Sequence, residues 1–303
     1  MAPLKPTLSQ LQCFVAVSDA GSFNEAAART GMSQSTLSEA VQTLERHLRC
    51  TLFHRSRNGV TLTAAGARAL DHARIALMAI EDLTRAVEDP QELSGTVRIV
   101  SLRSAASKLL PRVLVRLRQD HPGLNVVVLE SESHASAGET LLRRGEADIG
   151  LLPHPPHASL LSWPLYQDEW LAIYSRKRQN KPRTWADYHG QTFLMNGGAP
   201  STVVMMEELM EQHGVQQATI QQYQDDTVLL AMAEHDLGIT LLPRLAIPHL
   251  PDTLETWPLP DPMPRTIGVM VLPRRSGLPI LQAVVHALLD TWAHTPETQL
   301  QQP

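Results

Sequence analysis

Apolar residues in the first 90 positions recur at helical spacing, interrupted by short polar turns. Leu11, Phe14 and Val17 form one stripe, and Thr7 with Gln10 ahead of it has the spacing of a capping box. Ser22 with Glu25 repeats that signature before a short segment, Phe23–Thr30, whose Ala26, Ala27 and Ala28 let a neighbouring helix approach closely. Gly31 supplies the turn, since it tolerates positive φ. Ser33 then caps a third helix with Leu37, Val41, Leu44 and Leu48 on one face. Gln34, Ser35, Thr36 and Ser38 lie near its positive end. Residues 52–55 and 60–62 follow as short strands joined across Asn58-Gly59, a strong hairpin signal. A capped helix pair alone occurs in many globular proteins. With a polar helix start and a wing in order, the pattern predicts a winged helix-turn-helix over residues 1–63.

Thr63 caps a longer helix, predicted over 64–88 and ended by Pro90. Leu70, Ala73, Leu77, Ile80, Thr84 and Val87 alternate in steps of three and four, the seam of a coiled coil, with Leu83 broadening it. The spacing predicts a dimerisation helix at 64–90, although such a stripe also suits packing on the helix's own domain. Beyond residue 91 the rhythm changes. Strands are predicted at 97–100, 125–129, 147–152, 165–174, 192–195, 239–243 and 267–272, with helices at 105–119, 140–144, 203–213 and 280–292. This alternation predicts an α/β domain with a largely parallel sheet. Two such units joined by crossing strands place a ligand cleft at the carboxyl ends of the strands.

Composition adds three limits. The 303 residues are 43% hydrophobic and 19% charged, so a packed core is available. No apolar run approaches the roughly 20 residues that span a bilayer, and the N-terminus lacks a signal-peptide pattern, so a cytoplasmic protein without a membrane partner is expected. Cys13 and Cys50 are too few for a disulfide framework, and Cys13 falls on an apolar face. Net charge is −5, yet residues 1–70 hold seven basic and four acidic side chains, a basic head on an acidic body.

Together these residues resemble the LysR-type transcriptional regulators. The resemblance rests on Phe14 with Val17, Gly21-Ser22-Phe23, Ala26-Ala27, Ser33-Gln34-Ser35, Leu37-Ser38, Leu44-Glu45, Leu48, Leu52-Phe53, Arg55, Leu62-Thr63 and Gly66. Further along it rests on Val97-Arg98-Ile99, Leu110-Pro111, residues 145–150 and residues 237–243. It implies a two-lobed α/β effector domain similar to periplasmic solute-binding proteins, with lobe I at about 91–162 and 269–303 and lobe II at about 163–268. It also implies double-stranded operator DNA as partner, RNA polymerase as a further candidate, and a homodimer or a tetramer of two dimers. Two positions depart from the family pattern. Arg49 stands where glycine is usual after Leu48, which predicts a changed turn into the wing. Glu39 places an acid where relatives carry basic or amide residues; it would repel phosphate but could accept from cytosine N4.

Candidate DNA contacts are Ser33, Gln34, Ser35, Thr36 and Ser38 on the third helix, with Arg55 and Arg57 on the wing for phosphate or the minor groove. Candidate effector contacts are Ser101, Arg103 and Ser104 after the first strand of the body. Asn196, Gly197, Ser201 and Thr202 stand at the matching place in the second unit, and Ser131, Ser133 and Thr227 complete the ring. Hydroxyls, free amides and Arg103 favour an anionic effector. The same residues suit helix caps, and Glu130 and Glu132 could pair Arg103 or a cationic ligand instead. His154-Pro155-Pro156-His157 reads as a loop rather than a metal site, and Asp225-Asp226 as a helix start. No cofactor motif and no acid, base or nucleophile set suggests an enzyme. The alternative is a small-molecule binding protein whose head serves assembly only.

Overall fold

The computed structural model describes residues 5–56, 59–87, 93–131, 135–156, 160–198, 200–247 and 249–292. They form two compact units, residues 1–87 and 88–303. Pro90 and residues 88–92, where the predicted helix end and domain border fall, lie outside the described residues, as do Arg57, Asn58, Ser133 and His157.

In the first unit, α1 (Leu8–Ala20) starts at the Thr7–Gln10 capping box, and α2 (Phe23–Thr30) at Ser22, whose hydroxyl accepts from the Glu25 amide. Helix α3 (Gln34–Leu48) is followed by the antiparallel hairpin β1 (Phe53–Ser56) and β2 (Gly59–Leu62), then by α4 (Ala64–Arg85). Phe14, Val17, Ala26, Leu37, Val41, Leu44, Leu52 and Phe53 pack into one core, with Phe14 and Phe53 edge to face at 5.4 Å. The wing is held by its backbone. Val60 N–H donates to Gly21 O at 2.9 Å, and a Cβ on Gly59 (φ 124°) would lie 2.5 Å from that oxygen. The Glu45 carboxylate accepts from the amides of Leu52 and Phe53.

Three expectations change here. Leu70 and Ala73 are not on a free seam; both are buried in the core of the head, and Arg74 pairs with Asp19 of α1. The stripe divides because the first turns of α4 meet α1. Only later positions, Ile80 at 45%, Leu83 at 65% and Val87 at 79%, are exposed, with Leu77 half-buried. Leu48 is 40% exposed, so the buried stripe of α3 ends at Leu44. Arg49 does not alter the turn: it takes the left-handed conformation itself, at φ 53° and ψ 34°.

Among the described residues of the second unit, nine strands form one sheet. They are β3 (Gly95–Leu102), β4 (Leu124–Ser131), β5 (Ile149–Pro153), β6 (Leu161–Ser175), β7 (Thr192–Asn196), β8 (Thr219–Tyr223), β9 (Ile239–Pro243), β10 (Leu254–Pro258) and β11 (Pro264–Val271). The order is β4-β3-β5-β11-β6-β9-β7-β8, with β10 also on β6. The helices are α5 (Arg103–Asp120), α6 (Ala135–Arg143), α7 (Pro200–Gln212), α8 (Asp226–Glu234) and α9 (Pro279–Trp292). Each lobe holds a parallel trio, β4-β3-β5 and β9-β7-β8.

Residues 165–174, expected to open the second strand–helix unit, belong instead to a crossing strand, β6. This strand runs antiparallel to β11 over residues 161–169, then to β9 and β10 over 170–175. One unbroken strand therefore serves both lobes, and its pairing changes partner between Glu169 and Trp170, later than the border the resemblance implied at about 162–163. Strand β11 pairs with the lobe I part of β6 from Pro264 onward. Strands β8 and β10 were absent from the sequence-based expectations.

An ion cluster fastens lobe I. Asp148 accepts from Arg98 at its amide (2.7 Å) and at Nε and Nη2 (both 3.1 Å), and pairs with Arg275 Nη1 at 2.8 Å. The side chains of Asp148 and Arg275 are wholly buried. Burial alone would raise the Asp148 carboxyl; the Arg98 hydrogen bonds and both guanidinium charges override it and hold it down at about 2.

Candidate nucleic-acid interface and ligand cleft

At the start of α3 the Ser33 hydroxyl accepts from the Thr36 amide at 3.1 Å and sits 2.8 Å from Ser35 Oγ and 2.7 Å from Thr36 Oγ1. Three hydroxyls thus cluster at the positive end of one helix, with Gln34 exposed beside them. Ser38, half-buried, accepts from Gln42 (3.4 Å) and from Arg55 Nη1 (3.3 Å). The Arg55 guanidinium lies 4.8 Å from the centre of the Phe23 ring. Arg55 is therefore a strut between the wing, α3 and α2 with an exposed cationic edge. Neither Phe23 nor Ser38 was expected to orient it, because they lie 32 and 17 residues away along the chain.

The second unit carries a cavity of about 480 Å³ beside the place where β6 changes partners. Arg103, Ser104, Ser131, Asn196 and Thr202, all expected from the sequence, line it. Strand ends supply Ser131 and Asn196, and the first turns of α5 and α7 supply the others.

Several expected contacts fall elsewhere. Ser101 is fully buried and donates to Leu102 O; strand alternation gives Leu102 to the cleft and puts Ser101 on a separate depression beside α5. Gly197 is not in the lining: its amide donates to Tyr223 O at 2.7 Å, and Gly198 lines the cleft in its place. Thr227 is held by the cap of α8: its amide and hydroxyl both donate to the N-cap residue Asp225. Ser133 lies outside the described residues, as does the side chain of Ser201.

The lining not expected from the sequence includes Trp170, Met205, Gln224, Asp226, Met263, Arg265 and the run 241–243. Residues 237–243 were legible as a motif, but nothing in the pattern turned them toward a ligand. Arg265 lies on β11 and pairs with the buried Asp168 of β6 at 2.6 Å, while its Nη2 reaches Ser104 Oγ at 3.2 Å. Burial pulls the Arg265 guanidinium below its ordinary value against the pull of Asp168. Asp168 also accepts from the Leu245 amide, so one pair ties the crossing strands, the start of α5 and the turn after β9.

Arg103, on which the anionic expectation rested, is already engaged. Its Nε donates to Glu130 at 2.6 Å, its Nη1 lies 3.9 Å from Asp225, and the Glu130 hydrogen bond raises its pKa. Asp226 accepts from Asn196 Nδ2 at 2.8 Å. The cleft can take a small molecule with an apolar body against Trp170, Met205, Leu241 and Leu242 and polar groups toward Ser104, Asn196 and Thr202.

Residues 8–67 match the family model described as bacterial regulatory helix-turn-helix protein, lysR family, and residues 90–293 match the LysR substrate binding domain. The chain is 31% identical over 287 residues to a probable HTH-type transcriptional regulator, LrrA, of Synechococcus elongatus, covering 94% of this chain and 97% of that one. It is 35% identical over 169 residues to a probable hydrogen peroxide-inducible genes activator of Mycobacterium xenopi, covering 55% of this chain and 88% of that one. Among solved structures, a cysteine-substituted full-length OxyR from Pseudomonas aeruginosa is similar in fold, with a TM-score of 0.70 at 20% identity over 97% of this chain and all of that one. Full-length CbnR complexed with its target DNA is similar with a TM-score of 0.61 at 22% identity, over 93% of this chain and 98% of that one.

Proposed function

This chain belongs to the LysR family of helix-turn-helix transcriptional regulators, and on that premise we propose how its own residues divide the work. Gln34, with the Ser33–Ser35–Thr36 hydroxyl cluster, meets base edges and phosphates of double-stranded operator DNA, and Arg55 meets the backbone from the wing. The exposed Ile80 and Leu83 of α4, with Val87 just past its end, pair with a second copy, giving the dimer or tetramer that places two heads on one operator. A small metabolite in the cleft shifts the balance between lobe geometries, because the Arg265–Asp168 pair joins the lining to the crossing strands. The protein acts in the cytoplasm, by binding rather than catalysis, with RNA polymerase as a further partner.

The observation that carries the reading is the exposed polar start of α3 beside a strutted arginine. Its test is binding of DNA fragments selected by the protein from a random pool. Replacing Gln34 and Ser35 with alanine should lower specific affinity about 5- to 100-fold, as expected for one or two lost base contacts, and leave non-specific binding nearly unchanged. Full retention of specific binding would remove Gln34 and Ser35 as base contacts, whereas a wild-type protein that selects no DNA sequence would favour a head that serves assembly only.

The likeness to a probable hydrogen peroxide-inducible genes activator raises a response to peroxide as a second reading. This chain has no cysteine between residue 51 and residue 303, so its effector domain cannot form a cysteine-based switch. Recognition by a cleft is the reading that its residues support.

A further inference from the structure

The charges around the cleft point to the kind of molecule it takes, an inference that rests on the cleft being the effector site. Among the described residues, the lining and its direct ion-pair partners comprise two cations, Arg103 and Arg265, and four anions, Glu130, Asp168, Asp225 and Asp226. The nearby Arg244–Glu169 pair cancels itself. The site is thus anionic by two formal charges before anything binds. A ligand carboxylate has no ready cation there. To use Arg265 it would have to displace Asp168, whose side chain is wholly buried and which also holds the Leu245 amide. To use Arg103 it would have to compete with Glu130 while lying close to Asp225 and Asp226.

An ammonium meets the opposite situation. The Asn196 amide holds Asp226 Oδ1, leaving Oδ2 with no partner among the described residues. Glu130 keeps its second oxygen beside the one Arg103 holds. Trp170 adds an aromatic wall to the same cavity. We propose that the effector is an amine-bearing metabolite, cationic or zwitterionic, with a partly apolar body. Its ammonium is held by Asp226 with Glu130, and its body packs against Trp170, Leu241 and Leu242. In a zwitterion such as an amino acid, the carboxylate takes the Ser104 and Thr202 hydroxyls at the helix starts.

Four probes on one skeleton separate charge from shape: phenethylamine, phenylalanine, 2-phenylacetamide and phenylacetate. Each is added to the full-length protein at the same concentration and ionic strength at pH 7.5, and thermal unfolding is followed. Phenethylamine and phenylalanine should raise Tm, and phenylacetate should not. Asp226→Asn should weaken the two amines at least tenfold and change 2-phenylacetamide less than threefold. Thr202→Trp, which fills the cleft from the start of α7, should abolish every shift. A shift from phenylacetate that exceeds that of the amines and disappears in Thr202→Trp would overturn the charge inference and leave the cleft reading intact. Shifts that survive Thr202→Trp would overturn the cleft reading as well. Silence from all four probes would overturn the amine proposal, and so would amine binding unaffected by Asp226→Asn.

Discussion

Asp148, Arg98 and Arg275 carry one of the clearest single-residue consequences of this structure. With Arg275 fully buried, Asp148→Asn removes a carboxylate that compensates it, and a loss of about 3–5 kcal/mol is expected by denaturant unfolding. The pH dependence follows from the depressed carboxyl, at about 2 when folded against 3.8 ordinarily. Its contribution is fully present above about pH 4 and is lost as the pH falls through 2, so wild-type and Asp148→Asn stabilities should converge toward acid. Arg49 is a second such case. Its left-handed backbone is costly for a side chain with a Cβ, and Arg49→Gly should stabilise the head by about 0.5–1 kcal/mol, read as a higher unfolding midpoint. The sequence marked this position as unusual, but a residue type does not report the φ it adopts. The same limit explains Ser101 and Thr227: hydroxyls at strand ends and helix starts have one signature whether they face a ligand, the backbone or a neighbouring carboxylate.

Helix α4 shows what periodicity conveys about an element and what it omits. The alternating three and four spacing correctly marked one apolar face, but a face does not name what covers it. Leu70 and Ala73 complete the head's core, whereas Ile80, Leu83 and Val87 stay exposed. The two halves should therefore respond differently to substitution. Leu70→Ala should destabilise the head by about 2–4 kcal/mol in a melt followed by far-ultraviolet circular dichroism, the usual loss for a buried leucine. Leu83→Glu should leave that melt unchanged and shift the oligomer toward monomer in sedimentation velocity; a self-association constant equal to wild type would remove α4 from the interface. Caps behaved more simply. Thr7, Ser22, Ser33 and Thr63 each start a helix where the sequence placed them, because a cap is a local hydrogen bond between residues two or three apart. The β6 strand is the opposite case. No turn signal divides it where it changes partners, so its service to both lobes is invisible until β11, β9 and β10 come beside it.

At the scale of the whole molecule, a chain with net charge −5 binds DNA only through local positive groups. Affinity should fall steeply with salt, with a slope set by the few phosphates contacted per head. Arg55→Ala should reduce that slope by about one per head in a titration from 50 to 200 mM salt, while Gln34→Ala leaves the slope unchanged and alters sequence preference.

The sequence by itself determined the order of the elements, their caps, the winged helix-turn-helix, the α/β body and five of the residues that line the cleft, because these depend on neighbours within a few residues. Only the tertiary structure decided the division of α4, the strand that serves both lobes and the state of the charges in the cleft. Arg103 looked like a free cation in the sequence; Glu130, 27 residues away, made it part of an ion pair. Arg265 and Asp168 met from 97 residues apart. Such pairings set the electrostatics of a site because Coulombic interaction follows distance in space, which chain separation does not record.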